Sequence, residues 1–247
     1  MKSVRASTKE SERESHPYLS SVIALILIVL CLWASQWQYQ RGVDRHHRNA
    51  FIAENASGPA VNFELSKKNI NKLEWRTVIF EGKFDPENQI LLRNKYNEGK
   101  YGFDLLTIFN ERNGRAFWVN RGWIAPGATA KTAPKIPTTP TTNVKITGRL
   151  RLDNSLPQGS FFAMPSDGGS LVEKWNAQLA TTNNLEVFYV DLIKSSNPQL
   201  TPVVPAALPE LSDGPHMAYA LQWIFFGGLV VYGRILLRRS AQVLTSV

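Results

Sequence analysis

The sequence predicts a membrane protein in which two transmembrane helices flank an extracytoplasmic α+β domain dominated by antiparallel strands, a small sheet or barrel. Three observations predict it. Two stretches of about twenty apolar residues lie near the ends of the 247-residue chain. The 178 residues between them are enough to bury a core of their own. That middle segment carries short runs with alternating polar and apolar side chains, punctuated by Gly, Pro and Asn.

Residues 1–17 form a charged tail with four Lys/Arg and three Asp/Glu. Residues 18–37 (YLSSVIALILIVLCLWASQW) contain no charge and suffice to cross a bilayer. A cleaved signal peptide is the alternative for this run. It is long for that role, and it ends in Trp and Gln rather than at a small-residue cleavage site. Residues 217–237 (MAYALQWIFFGGLVVYGRILL) form the second span, with Arg234 close enough to its end to snorkel. Tyr18, Trp33, Trp37, Tyr219, Trp223 and Tyr232 supply interfacial aromatics. Lys and Arg in the two terminal tails place both termini in the cytoplasm and residues 38–215 outside. Arg41, Arg45 and Arg48 argue the other way, but long loops cross regardless of charge. Glu10, Glu12 and Glu14 are unlike an acid-poor transit peptide, which favours a bacterial plasma membrane over a mitochondrial one.

In the middle domain, residues 38–56 are charged and continue the first helix. Strands are expected at 74–84 (EWRTVIFEGKF), 89–93, 101–109 (YGFDLLTIF), 116–124 (AFWVNRGWI), 144–152 (VKITGRLRL) and 186–192 (EVFYVDL). Asn113-Gly114 between two of these runs signals a hairpin. Residues 129–142, rich in Thr and Pro, read as an exposed loop, and 171–180 as a short helix. Five prolines between 197 and 215 give an extended lead into the second span, which residues 238–247 follow as a short tail.

Composition narrows the function. The net charge is +8, but the middle domain holds 21 Lys/Arg against 17 Asp/Glu, too even a balance for a nucleic-acid-binding face. Cys31 is the one cysteine, so neither an intramolecular disulfide nor a CxxC redox or zinc pair exists. Three methionines and four scattered histidines disfavour copper delivery, which calls for clustered soft ligands or histidines. The chain has no P-loop, GxSxG elbow or HExxH pair, so no enzyme is expected. His46 and His47 read as a solvated pair beside the membrane.

Two places stand out. Trp37-Gln38-Tyr39-Gln40-Arg41 sits at the exit of the first span, and an aromatic belt with a cationic anchor is the simplest account of it. The second runs from Pro215 to Trp223. Pro215 suits a first helical turn, with Asp213 or Gly214 as cap. Helical spacing then puts His216, Tyr219, Ala220, Trp223 and Gly227 on one face. Such a face makes a wall for a flat apolar ligand such as a porphyrin, with the imidazole as axial ligand. An interfacial histidine that contacts headgroups or the folded domain fits the same spacing.

These residues resemble the surfeit locus protein 1 family of cytochrome c oxidase assembly factors. Four landmarks carry the resemblance, in order: Trp37-Gln38 with Arg41; Asn120-Arg121-Gly122-Trp123; Val144 to Arg151, with Gly148 and Leu150; and His216, Tyr219-Ala220 and Trp223. The chain departs from the family pattern at Ser35, where a glycine is usual, and at Arg45-His46-His47-Arg48. The resemblance implies a role in maturing haem-copper terminal oxidases, with transient binding of haem a and its placement in the catalytic subunit. It implies His216 as the haem ligand, and oxidase subunits and haem a synthesis enzymes as partners. Tyr219, Trp223, Arg41 and Arg121 are added as cofactor-binding candidates, the arginines for haem propionates or an oxidase surface. A cofactor-free scaffold for nascent oxidase subunits is the main alternative. An extracytoplasmic sensor ranks below it, because only a short tail follows the second span.

Overall fold

The computed structural model describes residues 16–63, 70–128, 134–152 and 185–243. They fall into two compact units, one within Met1–Ala50 and Leu211–Val247, the other within Phe51–Glu210.

The first unit is a helix pair. Helix α1 spans Pro17–Ser57, so the charged segment after the apolar run does continue the helix. At 1.5 Å per residue the whole element is about 60 Å long. Helix α2 spans His216–Val243. Both are long and apolar enough to cross a membrane. They run antiparallel: Ser21 bonds Arg234, Ser35 bonds Ala220, and Gln38 bonds His216. The shielded positions of α1 are Ser21, Ala24, Ile28, Cys31, Ser35, Gln38 and Gly42, alternately three and four residues apart. On α2, His216, Ala220, Gly227, Val230 and Arg234 keep the same rhythm. A 3.5-residue repeat gives the shallow left-handed crossing of a coiled pair, and small side chains let the backbones approach. Ser35, where the resembled family usually has glycine, is 8% exposed, and its hydroxyl donates to the Ala220 carbonyl at 2.9 Å. The hydroxyl at this close contact thus makes an interhelical bond that glycine would lack.

The second unit is a barrel. Its strands are β1 Val61–Asn62, β2 Thr77–Asn97, β3 Lys100–Glu111, β4 Ala116–Ile124, β5 Val144–Leu152 and β6 Leu185–Ser195. The order β1-β2-β3-β4-β6-β5, with a further β5–β2 pairing, closes a five-stranded ring with β1 as an outrigger. This is the connectivity of an OB-type barrel. The two strands expected at 74–84 and 89–93 are one strand, β2, interrupted by a register shift between Asp85 and Gln89. Gly114, with φ +83°, completes the expected β3–β4 hairpin turn. The helix expected at 171–180 lies outside the described residues.

The sheet is mixed, which corrects the mainly antiparallel expectation. β1 runs parallel to β2, and β4 parallel to β6. The second of these is forced by parity. Strands β2, β3 and β4 alternate in direction, β5 opposes β2, and β6 opposes β5. A closed ring with an odd number of strands cannot alternate throughout, so one parallel contact must occur, and it falls between β4 and β6.

The barrel interior is aromatic. Phe63, Phe80, Phe117 and Phe188 pack with centroids 4.5–6.5 Å apart, and Phe84 and Phe109 meet edge-on at 5.0 Å. Each such side chain contributes roughly 1.5–3 kcal/mol when fully buried. Around them lie Val78, Ile146, Leu150, Val190 and Leu192, all fully buried.

Gly122, in the Asn-Arg-Gly-Trp landmark, sits at φ +93° with the Val204 carbonyl against it. A Cβ there would lie 2.4 Å from that oxygen, while Trp123 N–H donates to the same carbonyl at 3.0 Å. The glycine therefore lets the 202–204 segment lie against β4. Gly122→Ala is expected to cost the barrel about 2–3 kcal/mol, read as a lowered thermal midpoint of the purified protein.

Candidate functional site

The described part of the helix pair contains the His216 landmark and the Trp37-Gln38 landmark, and joins them. His216 opens α2, and the Pro215 carbonyl accepts the first helical bond, from Tyr219 N–H at 3.0 Å. Proline suits this point because its missing N–H would have had no helical partner. Asp213, expected as a cap, accepts instead from Asn49 at 2.9 Å and bonds His46 Nδ1 at 2.8 Å. These bonds hold the Asp213 carboxyl below the usual carboxylate range. His46 is thus tied across the helix pair, although it remains exposed.

His216 is half-buried, and its Nδ1 lies 3.0 Å from Gln38 Oε1. An amide oxygen can only accept, so this contact places the imidazole proton on Nδ1 and leaves the Nε2 lone pair available. Metal-binding histidines are commonly set up in this way by a second residue. Gly42 stands beneath: a Cβ there would lie 3.4 Å from the His216 Cβ and 3.2 Å from the Met217 methyl. Gly214 takes a left-handed backbone, φ +68°, and a Cβ there would be in ordinary contact with the Arg45 guanidinium at 3.5 Å and the His216 ring at 3.6 Å. Tyr219 and Trp223, on α2, and Trp37, on α1, are 45%, 36% and 47% exposed, so their rings are open to a ligand or to lipid. Arg41 is exposed and stacks over Trp37, 5.6 Å from its centroid. Among the described residues no group of three or more His, Cys, Asp or Glu could hold a metal.

Arg121 belongs to the barrel. It is 6% exposed, hydrogen-bonds Thr139 and Gln89, and lies over the Phe84 ring at 5.6 Å. Burial lowers its pKa to about 10. The contact with Thr139 ties the Thr/Pro loop to the barrel wall.

Sequence reasoning missed Gln38 as a partner of His216, although it stood in the Trp-Gln landmark. It also missed a band of buried polar groups on the barrel wall. Asp191, 2% exposed, accepts from Arg151 at 2.8 Å and from Asn120 at 3.0 Å. Asn120 turns its other end to Gly122 N–H, and Lys95 pairs with Asp104 at 2.9 Å. Arg149 bonds the Ala206 carbonyl. Burial pushes the Asp191 carboxyl upward, against the pull of Arg151, Arg149 and Asn120. Burial likewise lowers Arg149, opposed by Asp191. The alternation of Arg149 and Arg151 was visible in the sequence, but nothing there paired it with Asp191.

The sequence profile of the SURF1 family matches residues 25–228. Uncharacterised SURF1-like proteins of Mycobacterium bovis and Mycobacterium tuberculosis are 28% identical over 224 residues, covering 85% of this chain and 81% of theirs.

The Asp191 cluster makes a stability test. Asp191→Ala leaves buried guanidinium charge uncompensated and is expected to cost about 3–5 kcal/mol. Adding Arg151→Met should restore part of that loss, as measured by urea unfolding of the barrel.

Proposed function

Because the chain belongs to the SURF1 family, we propose that it serves the assembly of a haem-copper terminal oxidase, cytochrome c oxidase, and handles haem a through His216. One observation supports this reading above the others. The contact of Gln38 with Nδ1 sets His216 in the tautomer whose Nε2 lone pair faces away from the helix seam's own hydrogen bond. Haem would supply an iron that accepts one such lone pair.

The chain's residues then have distinct tasks. Gln38 fixes the imidazole proton and ring orientation. Tyr219 and Trp223 offer apolar ring surface to a flat macrocycle. Arg41, exposed beside Trp37, is the arginine better placed for a propionate, since Arg121 is committed to Gln89 and Thr139. A single histidine suits capture followed by release, which a carrier requires. The partners are the oxidase catalytic subunit and, upstream, the enzymes that make haem a. We further propose a bacterial plasma membrane location, with α1 and α2 crossing the bilayer, both termini cytoplasmic and the barrel outside.

Two experiments test the reading. Protein purified in detergent from cells that make haem a should show a reduced-minus-oxidised haem a band. His216→Ala should remove the band while the protein still inserts, and Gln38→Ala should lower occupancy about tenfold. No band in wild type, from protein that still captures oxidase subunits, would move the function to a cofactor-free scaffold. Alkaline phosphatase fused after Val247 should stay inactive; activity there would reverse the orientation.

A further inference from the structure

A groove of about 280 Å³ runs between α1 and α2 where Ser21 meets Arg234. Its walls are apolar, Leu25 and Ile28 from α1 against Val231 and Ile235 from α2. Its polar end is made by Arg234 and Arg238.

Arg234 is fixed at that end. Its Nη2 donates to the Pro17 carbonyl at 2.7 Å and to Ser21 Oγ at 2.9 Å, and its Nε donates to the same hydroxyl at 3.2 Å. An arginine that only escapes the bilayer extends its guanidinium into water. This one is turned back across the helix pair and held, half-buried, beside apolar side chains. Arg238 lies one turn further on, on the same face of α2. Its Nη2 reaches the same hydroxyl at 3.3 Å. Like charges at this spacing repel, and an anion bridging them reverses the sign.

Charge and shape agree on the occupant. Both charged residues in the lining are arginines. No Asp or Glu occurs from 17 to 43 or from 216 to 247. Arg238 is exposed and, among the described residues, makes one hydrogen bond, so most of its donors remain for a ligand. Guanidinium forks match phosphate oxygens. From Ser21 to Ile28 the wall is about 10 Å long, enough for the first part of a hydrocarbon chain.

We propose that this groove binds an anionic phospholipid, its phosphate at Arg238 and Arg234 and the start of one acyl chain along Ile28 and Val231. Basic pockets between membrane helices suit such headgroups. A lipid seated across both helices clamps the pair at the end of α2 opposite His216. The inference rests on α1 and α2 crossing the bilayer, as proposed above, and is independent of haem.

The test uses the full chain in detergent, titrated with phosphatidylglycerol or phosphatidylcholine carrying the same acyl chains, with retained lipid counted by native mass spectrometry. The probes share their chains and differ in net charge. Phosphatidylglycerol should bind about tenfold more tightly. Arg238→Gln should weaken it about fivefold, and Val231→Trp, which fills the groove from an exposed position, by a similar factor. Arg239→Gln removes the neighbouring cation outside the groove and should change nothing. Glycerol phosphate, an anion without chains, should not compete. Equal binding of the two lipids would overturn the proposal. Equal losses in Arg238→Gln and Arg239→Gln would reduce it to surface charge, and full competition by glycerol phosphate to a free-phosphate site. A dimer that Val231→Trp breaks, with no lipid retained, would give the groove to a second copy of the chain. Membranes holding the wild type are also washed with alkaline carbonate. Release of the protein would overturn the bilayer crossing and this site with it, whereas retention without a lipid preference would overturn the site alone.

Discussion

The barrel depends on one strand being paired along both edges. β2 pairs with β5 through Thr77–Gly82 and with β3 through Gly82–Asn97. The two ladders share Gly82, where a Cβ would lie 2.1 Å from the Asn110 carbonyl. No side chain fits at that crossing, so the strand can bend from one neighbour to the other only with glycine there. Closure then removes the exposed edges an open sheet would present. It also forces the parallel contact of β4 with β6, which brings Asn120 opposite Asp191. The polar band on the wall is thus a consequence of ring closure.

That band sits uneasily with stability alone. The phenylalanine cluster stabilises by removing apolar surface from water, and its members need no partner to do so. The Asp191–Arg151 pair gains Coulomb energy but loses hydration on both sides, so an apolar pair of similar volume would serve the barrel as well or better. Trp75, stacked on Arg151 with φ +70°, adds backbone strain to the same region.

How much of this was legible in the sequence depends on the range of the interaction. Four strands and the β3–β4 hairpin were legible from period-two alternation and Asn-Gly, because both are local. The joining of two expected strands into β2 was not, because a bulge at Asp85–Gln89 breaks the alternation without ending the strand. Parallel pairing was invisible for a different reason: the direction of β6 beside β4 is decided by closure, which no local window contains. In the site, His216, Tyr219 and Trp223 were found from helical spacing within one segment. Gln38 was seen as part of a landmark but not as the partner of His216, because 178 residues separate them. Arg121, a sequence candidate for a propionate or an oxidase surface, is instead buried, since β4 has neighbours on both sides.

The helix pair shows why an oriented histidine belongs at the end of a seam and not in its middle. Along the seam, Cys31 meets Gly227 and Ser35 meets Ala220, contacts so close that no macrocycle could enter between the helices. At Gln38 and His216 the seam ends in two polar side chains that satisfy each other. Their bond uses the inner nitrogen of the imidazole, and a bond to the inner nitrogen leaves the outer one without a proton. Close packing therefore does two things at once. It brings α1 near enough for Gln38 to reach the His216 imidazole, and it leaves Tyr219 and Trp223 exposed on α2.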